Sequence, residues 1–423
     1  VRGGAVAVGA GALYVHVPFC RSKCAYCDFS SWATRAGDPL MGAYVASAAR
    51  MVRQAESLGL LEGCRTGYLG GGTPTYLGAD ALHLLVAAMA THCPHELSVE
   101  ANPDSLAPDV LDALLDVGAT RVSVGVQSTN AAELQALGRV HGPAQALDAL
   151  SRAVAAGLDV SCDLMCATPL QTEDSWEKSL ADVLSCGVGH VSVYPLQIED
   201  GTALGRRYAD EDPAFNAEDV QAARMEAAER ALGAAGLARY EVASYARPGK
   251  ACAHNQAYWT GVPYLGIGTG ASGMLGAPDY ELLRTAASRL PKAPADAWRV
   301  RLTVTSGRRA FAEAAGIGDL SYDLEFLTEP QAAAEDLMLG MRLSKGVGED
   351  LLAHARDVLG AQAVDSAVAE ARREGLAESR ADGGLAPTRR GWLLGNELYG
   401  IMWGLAPGTV REVGISCAPA PHE

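Results

Sequence analysis

Six short β-type runs, each followed by a helical stretch, recur along the first half of this 423-residue chain, and such an alternation leaves few folds open. The runs are ALYVHVP (12–18), TGYLG (66–70), ELSVEAN (96–102), RVSVGVQ (121–127), DVSCDLM (159–165) and HVSVYPLQ (190–197). Most read as near-continuous apolar stretches, the pattern of parallel strands buried on both faces. Ala-rich amphipathic helices such as MGAYVASAARMVRQAESLG and APDVLDALLDVG lie between them. A strand–helix unit repeated every ~30 residues is the signature of a parallel sheet. Six units fall short of an eight-fold barrel, so the expectation is an α/β fold with a partial (β/α)6 barrel over residues 1–270.

Beyond residue 270 the alternation stops. Residues 271–330 are poorly patterned and read as a connecting segment. Residues 331–408 hold three helical stretches and a hairpin-like GLAESRADGGLAPT, which suggests a helical, winged-helix-like module. No dense basic face accompanies it, so packing or docking is expected there rather than DNA binding. The tail, 409–423, carries weak signals and is expected to be disordered.

The net charge of −16 argues against nucleic acid as the main partner. Outside one triplet, Cys64, Cys93, Cys162, Cys166, Cys186, Cys252 and Cys417 show no framework spacing, which points to a reducing cytoplasm. The opening VRGGAVAVGAGAL lacks a basic segment followed by a long apolar run, so no signal peptide is expected. With no apolar stretch of about 18 residues, the chain reads as soluble.

Each strand ends in a polar or glycine-rich residue: Cys20, GGGTPT (70–75), Glu100, Gln127, Asp163 and Tyr194. Ligands bind at these C-terminal strand ends in parallel α/β sheets. The first of them opens the stretch YVHVPFCRSKCAYCDF, with Cys20, Cys24 and Cys27. Thiolates at such spacing suit zinc or an iron–sulfur cluster. Zinc needs a fourth ligand, for which His16 and Asp28 stand near, though a single triplet is atypical of zinc sites. Inert packing is at odds with the polar Arg21, Ser22, Lys23 and Asp28 of the loop. Three thiolates on a four-iron cube leave one iron open to a further chelator.

The C-x3-C-x2-C spacing after a first strand, with a second strand ending in GGGTPT, resembles the signature of the radical S-adenosylmethionine proteins. More narrowly, YVHVPFC, GGGTPT, VEANPD, VSVGVQS, LGRVH, CDLM, VSVYPLQIEDGT, YEVASYA and HNQAYW, in order over residues 13–260, resemble the oxygen-independent coproporphyrinogen III oxidase family. The resemblance extends to the C-terminal module. It implies a [4Fe–4S] cluster on Cys20, Cys24 and Cys27, chelated at its open iron by S-adenosylmethionine. One-electron reduction, by a donor such as flavodoxin or ferredoxin, then yields a 5′-deoxyadenosyl radical. By motif match, Tyr14 and Tyr26 pack around cofactor and cluster, and Gly71, Gly72 and Thr73 let backbone approach the methionine moiety. Glu100, Gln127, Arg139, Asp163 and Met165 match the remaining cofactor contacts, with Arg139 suited to the cofactor carboxylate.

Position 29 separates branches of this family. The decarboxylating enzymes carry a further cysteine two residues after the triplet, whereas this chain has Phe29. Phenylalanine there resembles the HemW-type heme chaperones, which bind heme and pass it to acceptor proteins, membrane respiratory complexes among them. HNQAYW (254–259) resembles that branch's HNxxYW motif, implying His254 as iron ligand with Tyr258 and Trp259 stacking on the porphyrin. His254 reads equally as an ordinary hydrogen-bonded histidine, and Cys252 is an alternative ligand. Three other functions stay open: oxidative decarboxylation of coproporphyrinogen III, radical methyl transfer, and a zinc-containing barrel protein. One departure concerns Ala167, where the family pattern has glycine, beside Cys166 in place of an aromatic. Alanine suits a turn of negative φ, so the expectation is either a remodelled loop or a turn that never needed glycine.

Overall fold

The computed structural model describes residues 9–210 and 213–416. The first part of the opening segment, and the end of the tail with Cys417, lie outside the described residues.

All six runs are strands: β1 (Ala12–Val17), β2 (Thr66–Gly71), β3 (Glu96–Ala101), β4 (Arg121–Gln127), β5 (Asp159–Cys166) and β6 (His190–Pro195). They lie side by side in chain order, and every neighbouring pair is parallel. Helices α1 (Pro39–Ser57), α2 (Ala79–Ala90) and α3 (Pro108–Asp116) follow the first three strands. Two of these helices start with proline at the first helical position, which tolerates the missing N–H. The strands differ from the expected two-sided apolar runs. Val122, Val124 and Val126 of β4 pack in the main core, while Arg121, Ser123 and Gly125 line a cleft on the other face. In β5, Val160, Cys162 and Leu164 are core residues and Ser161, Asp163 and Met165 line the cleft. The period of two is therefore present, because the inner face is a lined cleft rather than a second apolar core.

The sheet does not end at residue 270. A further strand, β7 (Tyr264–Ile267), pairs parallel with β1. It is followed by antiparallel β8 (Ser272–Gly276), β9 (Ala297–Val304) and β10 (Tyr322–Thr328). Residues 271–330, expected to be a poorly patterned connecting segment, thus carry three strands of the same sheet with helices at Ala277–Ala286 and Arg308–Glu313 between them. In β9, Val300, Leu302 and Val304 are buried while Arg299, Arg301 and Thr303 alternate with them, a half-buried pattern. The tail contributes β11 (Arg411–Ile415), paired antiparallel with β10, so its described part is ordered by ladder hydrogen bonds. The thirteen-stranded order runs from β11 at one edge to the short strand Ala238–Arg239 at the other.

The C-terminal module has helices at Glu329–Gly340, Glu349–Leu359, Ala361–Arg373 and Gly395–Trp403, with the expected hairpin at Ala377–Ser379 and Leu385–Pro387. Leu337, Leu352, Val364, Leu398 and Met402 form its own small core. It is tied to the sheet by polar contacts. Trp392 Nε1 donates to the Val242 carbonyl at 2.9 Å, and the Arg239 guanidinium lies 4.2 Å above the Trp392 ring. Arg299 meets Asp336 with both terminal nitrogens, at 2.6 and 2.8 Å.

The three non-glycine residues of positive φ among the described residues are Gln127 (67°), Ala167 (55°) and Leu170 (67°). Ala167 follows β5 directly, held by Gln171 Oε1 accepting from its N–H at 2.8 Å and by Asn216 Nδ2 donating to its carbonyl at 3.0 Å. The turn is thus left-handed with alanine in it, and neither expectation for this position holds. A left-handed alanine costs roughly 1–2 kcal/mol. Replacing Ala167 with glycine is expected to stabilise the protein by about 1 kcal/mol, read as a higher denaturant midpoint at unchanged slope. A lower midpoint would contradict the strain.

Candidate functional site

The C-terminal ends of β2 to β6 and the loop after β1 enclose a cleft of about 1700 Å³ of open space. A short parallel ladder, Phe19–Cys20 with Trp32–Ala33, pinches the cysteine loop closed. Inside it, Lys23 Nζ donates to the carbonyls of Phe29 at 2.6 Å and Ser31 at 3.1 Å. All three thiols are free and part-exposed to the cleft. Each has a polar neighbour: Thr73 Oγ1 donates to Cys20 Sγ at 3.6 Å, Arg139 Nη1 to Cys24 Sγ at 3.2 Å, and Ser31 Oγ lies 3.9 Å from Cys27 Sγ. Three thiols on one short loop, each beside a polar group and facing the cleft, form a donor set that fits three cluster ligands. Phe29 is 62% exposed on the rim of the same cleft.

His16 cannot complete a zinc site as it stands. Its Nδ1 is bonded to Tyr14 Oη at 2.9 Å and its Nε2 to the Ser30 carbonyl at 2.9 Å. Among the described residues, no three His, Cys, Asp or Glu side chains gather closely enough for a single ion.

The glycines after β2 are required by the chain itself. A Cβ on Gly71, whose φ is 111°, would stand 2.5 Å from the His16 ring. One on Gly72 would stand 2.7 Å from the Phe19 carbonyl and 3.0 Å from Cys20 Sγ. Only glycine lets this turn lie against the cysteine loop. Thr73 in turn accepts from Asn102 Nδ2 at 2.9 Å.

Glu100 accepts from Gly71 N and Tyr68 Oη, both at 3.0 Å, and Asp163 accepts from Ser123 Oγ at 2.9 Å. Burial and the neighbouring Asp163 push the Glu100 carboxyl up to about 7. Burial likewise pushes Asp163 up to about 6. Arg139 spends Nη2 on Asn102 Oδ1 at 2.6 Å and the Gly125 carbonyl at 2.7 Å. It therefore braces the Cys24 side of the cleft instead of standing free. A register shift between Gly125 and Gln127, with the positive φ of Gln127, ends β4 at the cleft. Tyr26 and Met165 also line it. Tyr68 and Asn102 went unnoticed in the sequence, although both stand inside stretches singled out there, TGYLG and VEANPD.

The remaining expected residues lie elsewhere. Tyr14 faces a second cavity of about 980 Å³, walled also by Tyr258, Trp259, Tyr264, Met274 and Leu339. His254 belongs to a short helix, Ala253–Trp259, packed against the beginnings of β2 and β3, at the opposite strand ends from the cysteines. Its ring is buried, with Nδ1 bonded to Thr66 Oγ1 at 3.1 Å and Nε2 to Tyr258 Oη at 2.9 Å. Burial pushes it down to about 4. Both nitrogens are spent, so His254 is a hydrogen-bonded histidine of the fold. Cys252 donates to Glu96 Oε1 at 3.1 Å, and burial pushes its thiol up, which leaves it a poor ligand.

Glu100 and Asp163 hold protons more tightly folded than unfolded. The stabilisation from Glu100 is full below its ordinary value of 4.5 and lost as pH rises through about 7, and that from Asp163 is full below 3.8 and lost through about 6. Glu100→Gln is therefore expected to gain thermal stability over the unsubstituted ligand-free protein as pH goes from 5 to 8. A difference in Tm independent of pH would contradict this environment for Glu100.

The pattern of the radical SAM superfamily matches residues 14–183, and that of the HemN C-terminal domain matches 327–394. Heme chaperone HemW of Mycobacterium tuberculosis is 38% identical over 270 residues, 62% of this chain and 69% of that protein. The protein of the same name in Escherichia coli is 34% identical, over 66% of this chain and 74% of its own length. That of Bacillus subtilis is 28% identical over 92% of this chain and 98% of its own. Among solved structures, coproporphyrinogen III oxidase (HemN) from Escherichia coli aligns with a TM-score of 0.71 at 20% identity, covering 93% of this chain and 90% of that one, a likeness of fold. A [4Fe–4S] cluster and S-adenosylmethionine come with the radical SAM match, which removes the zinc alternative. The three thiols, the glycine turn and these relatives together place the chain in the HemW family of the radical SAM superfamily.

Proposed function

We propose that this protein is a heme chaperone, which binds a [4Fe–4S] cluster and S-adenosylmethionine and transfers heme to acceptor proteins. The observation that carries this is Phe29: the cysteine position that distinguishes the decarboxylating relatives holds an exposed aromatic on the cleft rim, in a chain 38% identical to a heme chaperone. Decarboxylation of coproporphyrinogen and radical methyl transfer are not favoured, because the likeness to HemN is one of fold at 20% identity.

Cys20, Cys24 and Cys27 would hold the cluster, with Thr73 and Arg139 donating hydrogen bonds to the sulfurs. The cluster supplies one-electron chemistry when bound. Glu100, Asp163, Gln127, Met165 and Tyr26 line the space for S-adenosylmethionine, and Gly71 and Gly72 hold the turn that shapes it. Carboxylates suit the ribose hydroxyls, and aromatic Tyr26 suits a flat or sulfonium group. Tyr14 faces the second cavity and stacks on Tyr68, which lines the first. Heme as cargo would meet Tyr258 and Trp259 in the second cavity, while His254 keeps its helix seated. The acceptors follow from the branch and include membrane respiratory complexes; flavodoxin or ferredoxin would serve as electron donor. Among the described residues no helix is long and apolar enough to cross a membrane. A reducing cytoplasm fits thiols kept free for a cluster.

The test is anaerobic reconstitution with iron and sulfide, then separate addition of heme and of coproporphyrinogen III. Expected are four irons per chain, lost in Cys24→Ala, one heme captured per chain, and no protoporphyrinogen. Turnover of coproporphyrinogen without heme capture would replace this function with the oxidase.

A further inference from the structure

The second cavity is lined by aromatic and apolar side chains, Tyr258, Trp259, Tyr264 and Met274 among them, and by charged ones. Arg299 and Arg301 stand two residues apart on β9 and hence on one face of the strand, with Met274 paired beside Arg301 across the sheet. The space these side chains line, about 980 Å³ with the open solvent at its mouth, leaves room for a flat ligand such as a tetrapyrrole.

Both guanidiniums are occupied by carboxylates of a single helix, Glu329–Gly340 of the C-terminal module. Arg299 takes Asp336 bidentately, at 2.6 and 2.8 Å. Arg301 takes Glu335 Oε1 and, on its other side, Glu325 of β10. The second oxygen of Glu335 is buried with no hydrogen-bond partner, so this carboxylate is only half satisfied where it stands. The two arginines are thus already in carboxylate-binding geometry, and of their partners Glu335 is incompletely satisfied.

Resting on the heme-chaperone reading above, we propose that Arg299 and Arg301 are the residues that read the carboxylates of a flat tetrapyrrole cargo, in competition with Asp336 and Glu335. A planar guanidinium grips either carboxylate in the same fork, so the exchange leaves no cation unpaired, and it requires the displaced Asp336 and Glu335 to regain water as their helix draws away. Stacking on Tyr258 and Trp259 supplies attraction that the helix carboxylates lack. Each exchange also removes a tie between β9 and the C-terminal module. Cargo loading and loosening of that module are thereby one event, with a sense suited to handing cargo to an acceptor.

The experiment compares heme with heme dimethyl ester, whose carboxylates are blocked, by Soret titration of the reconstituted full chain. Heme is expected to bind at least about tenfold more tightly than the ester. Arg301→Gln should bring the two affinities together, and Asp336→Asn, which removes a competitor at nearly constant shape, should tighten heme but not the ester. Hydrogen exchange in the helix Glu329–Gly340 should speed up on adding heme and stay unchanged with the ester. If heme and ester bind equally to the unsubstituted protein, the arginine assignment is overturned while the chaperone function stands. If neither binds, the chaperone function falls and this inference with it. Heme tighter than ester with no effect of Asp336→Asn and unchanged exchange would overturn the competition.

Discussion

The Glu96 carboxylate, buried at the start of β3, accepts from Arg121 Nε at 3.2 Å and from the backbone N–H groups of Ala253 and His254 at 2.9 and 3.1 Å. The Cys252 thiol donates to it as well. A buried carboxylate with so many donors is stable only as a set, since removing one partner leaves a charge without compensation. Burial opposes the charge, yet Arg121 and the helix N–H groups hold the carboxyl below its usual range. The consequence reaches both cavities. The bonds seat the helix Ala253–Trp259 across the beginnings of the strands, which floors the cleft with Cys252 and Asn255 and turns Tyr258 and Trp259 toward the other cavity.

At the opposite strand ends the constraint is close approach. The turn after β2 lies against the cysteine loop so tightly that a side chain at Gly71 or Gly72 would overlap it. That contact puts Thr73 beside Cys20 and, through Asn102, links it to Arg139 beside Cys24. Two thiols from one loop thus have their surroundings fixed by β2, β3 and the segment after β4. A cluster bound here would be held by a loop, but its sulfur environment would be set by the sheet.

The six parallel strands and the cysteine triplet were legible because each depends on local spacing: apolar runs at regular intervals in the first case, thiols within one loop in the second. Strands β8 to β10 were not, since an antiparallel flank such as β9, with one polar face, alternates Arg and Thr with Val and Leu and resembles irregular chain when read for apolar runs. The strand in the tail depends on pairing with β10, which no local pattern announces. His254 shows the other limit. Its motif was visible, but the partners that settle its chemistry, Thr66 and Glu96, lie about 190 and 160 residues away in sequence and meet it only through the sheet. The left-handed Ala167 was located by the departure from glycine, whereas its φ was decided by Gln171 and Asn216.

The two cavities share one wall. Tyr68, whose hydroxyl bonds Glu100 in the cleft, stacks on Tyr14 at 6.4 Å and on the His254 ring at 5.2 Å. His254 meets Tyr258 edge-on at 4.9 Å, and Tyr258 meets Tyr264 at 4.6 Å. Tyr14, Tyr258 and Tyr264 all face the second cavity, so a continuous set of ring contacts runs from the Glu100 carboxyl to that cavity. Close-packed rings cannot yield independently, because a shift in one leaves a gap or a clash at the next. Within HNQAYW, His254 and Tyr258 build this partition and Trp259 lines the second cavity.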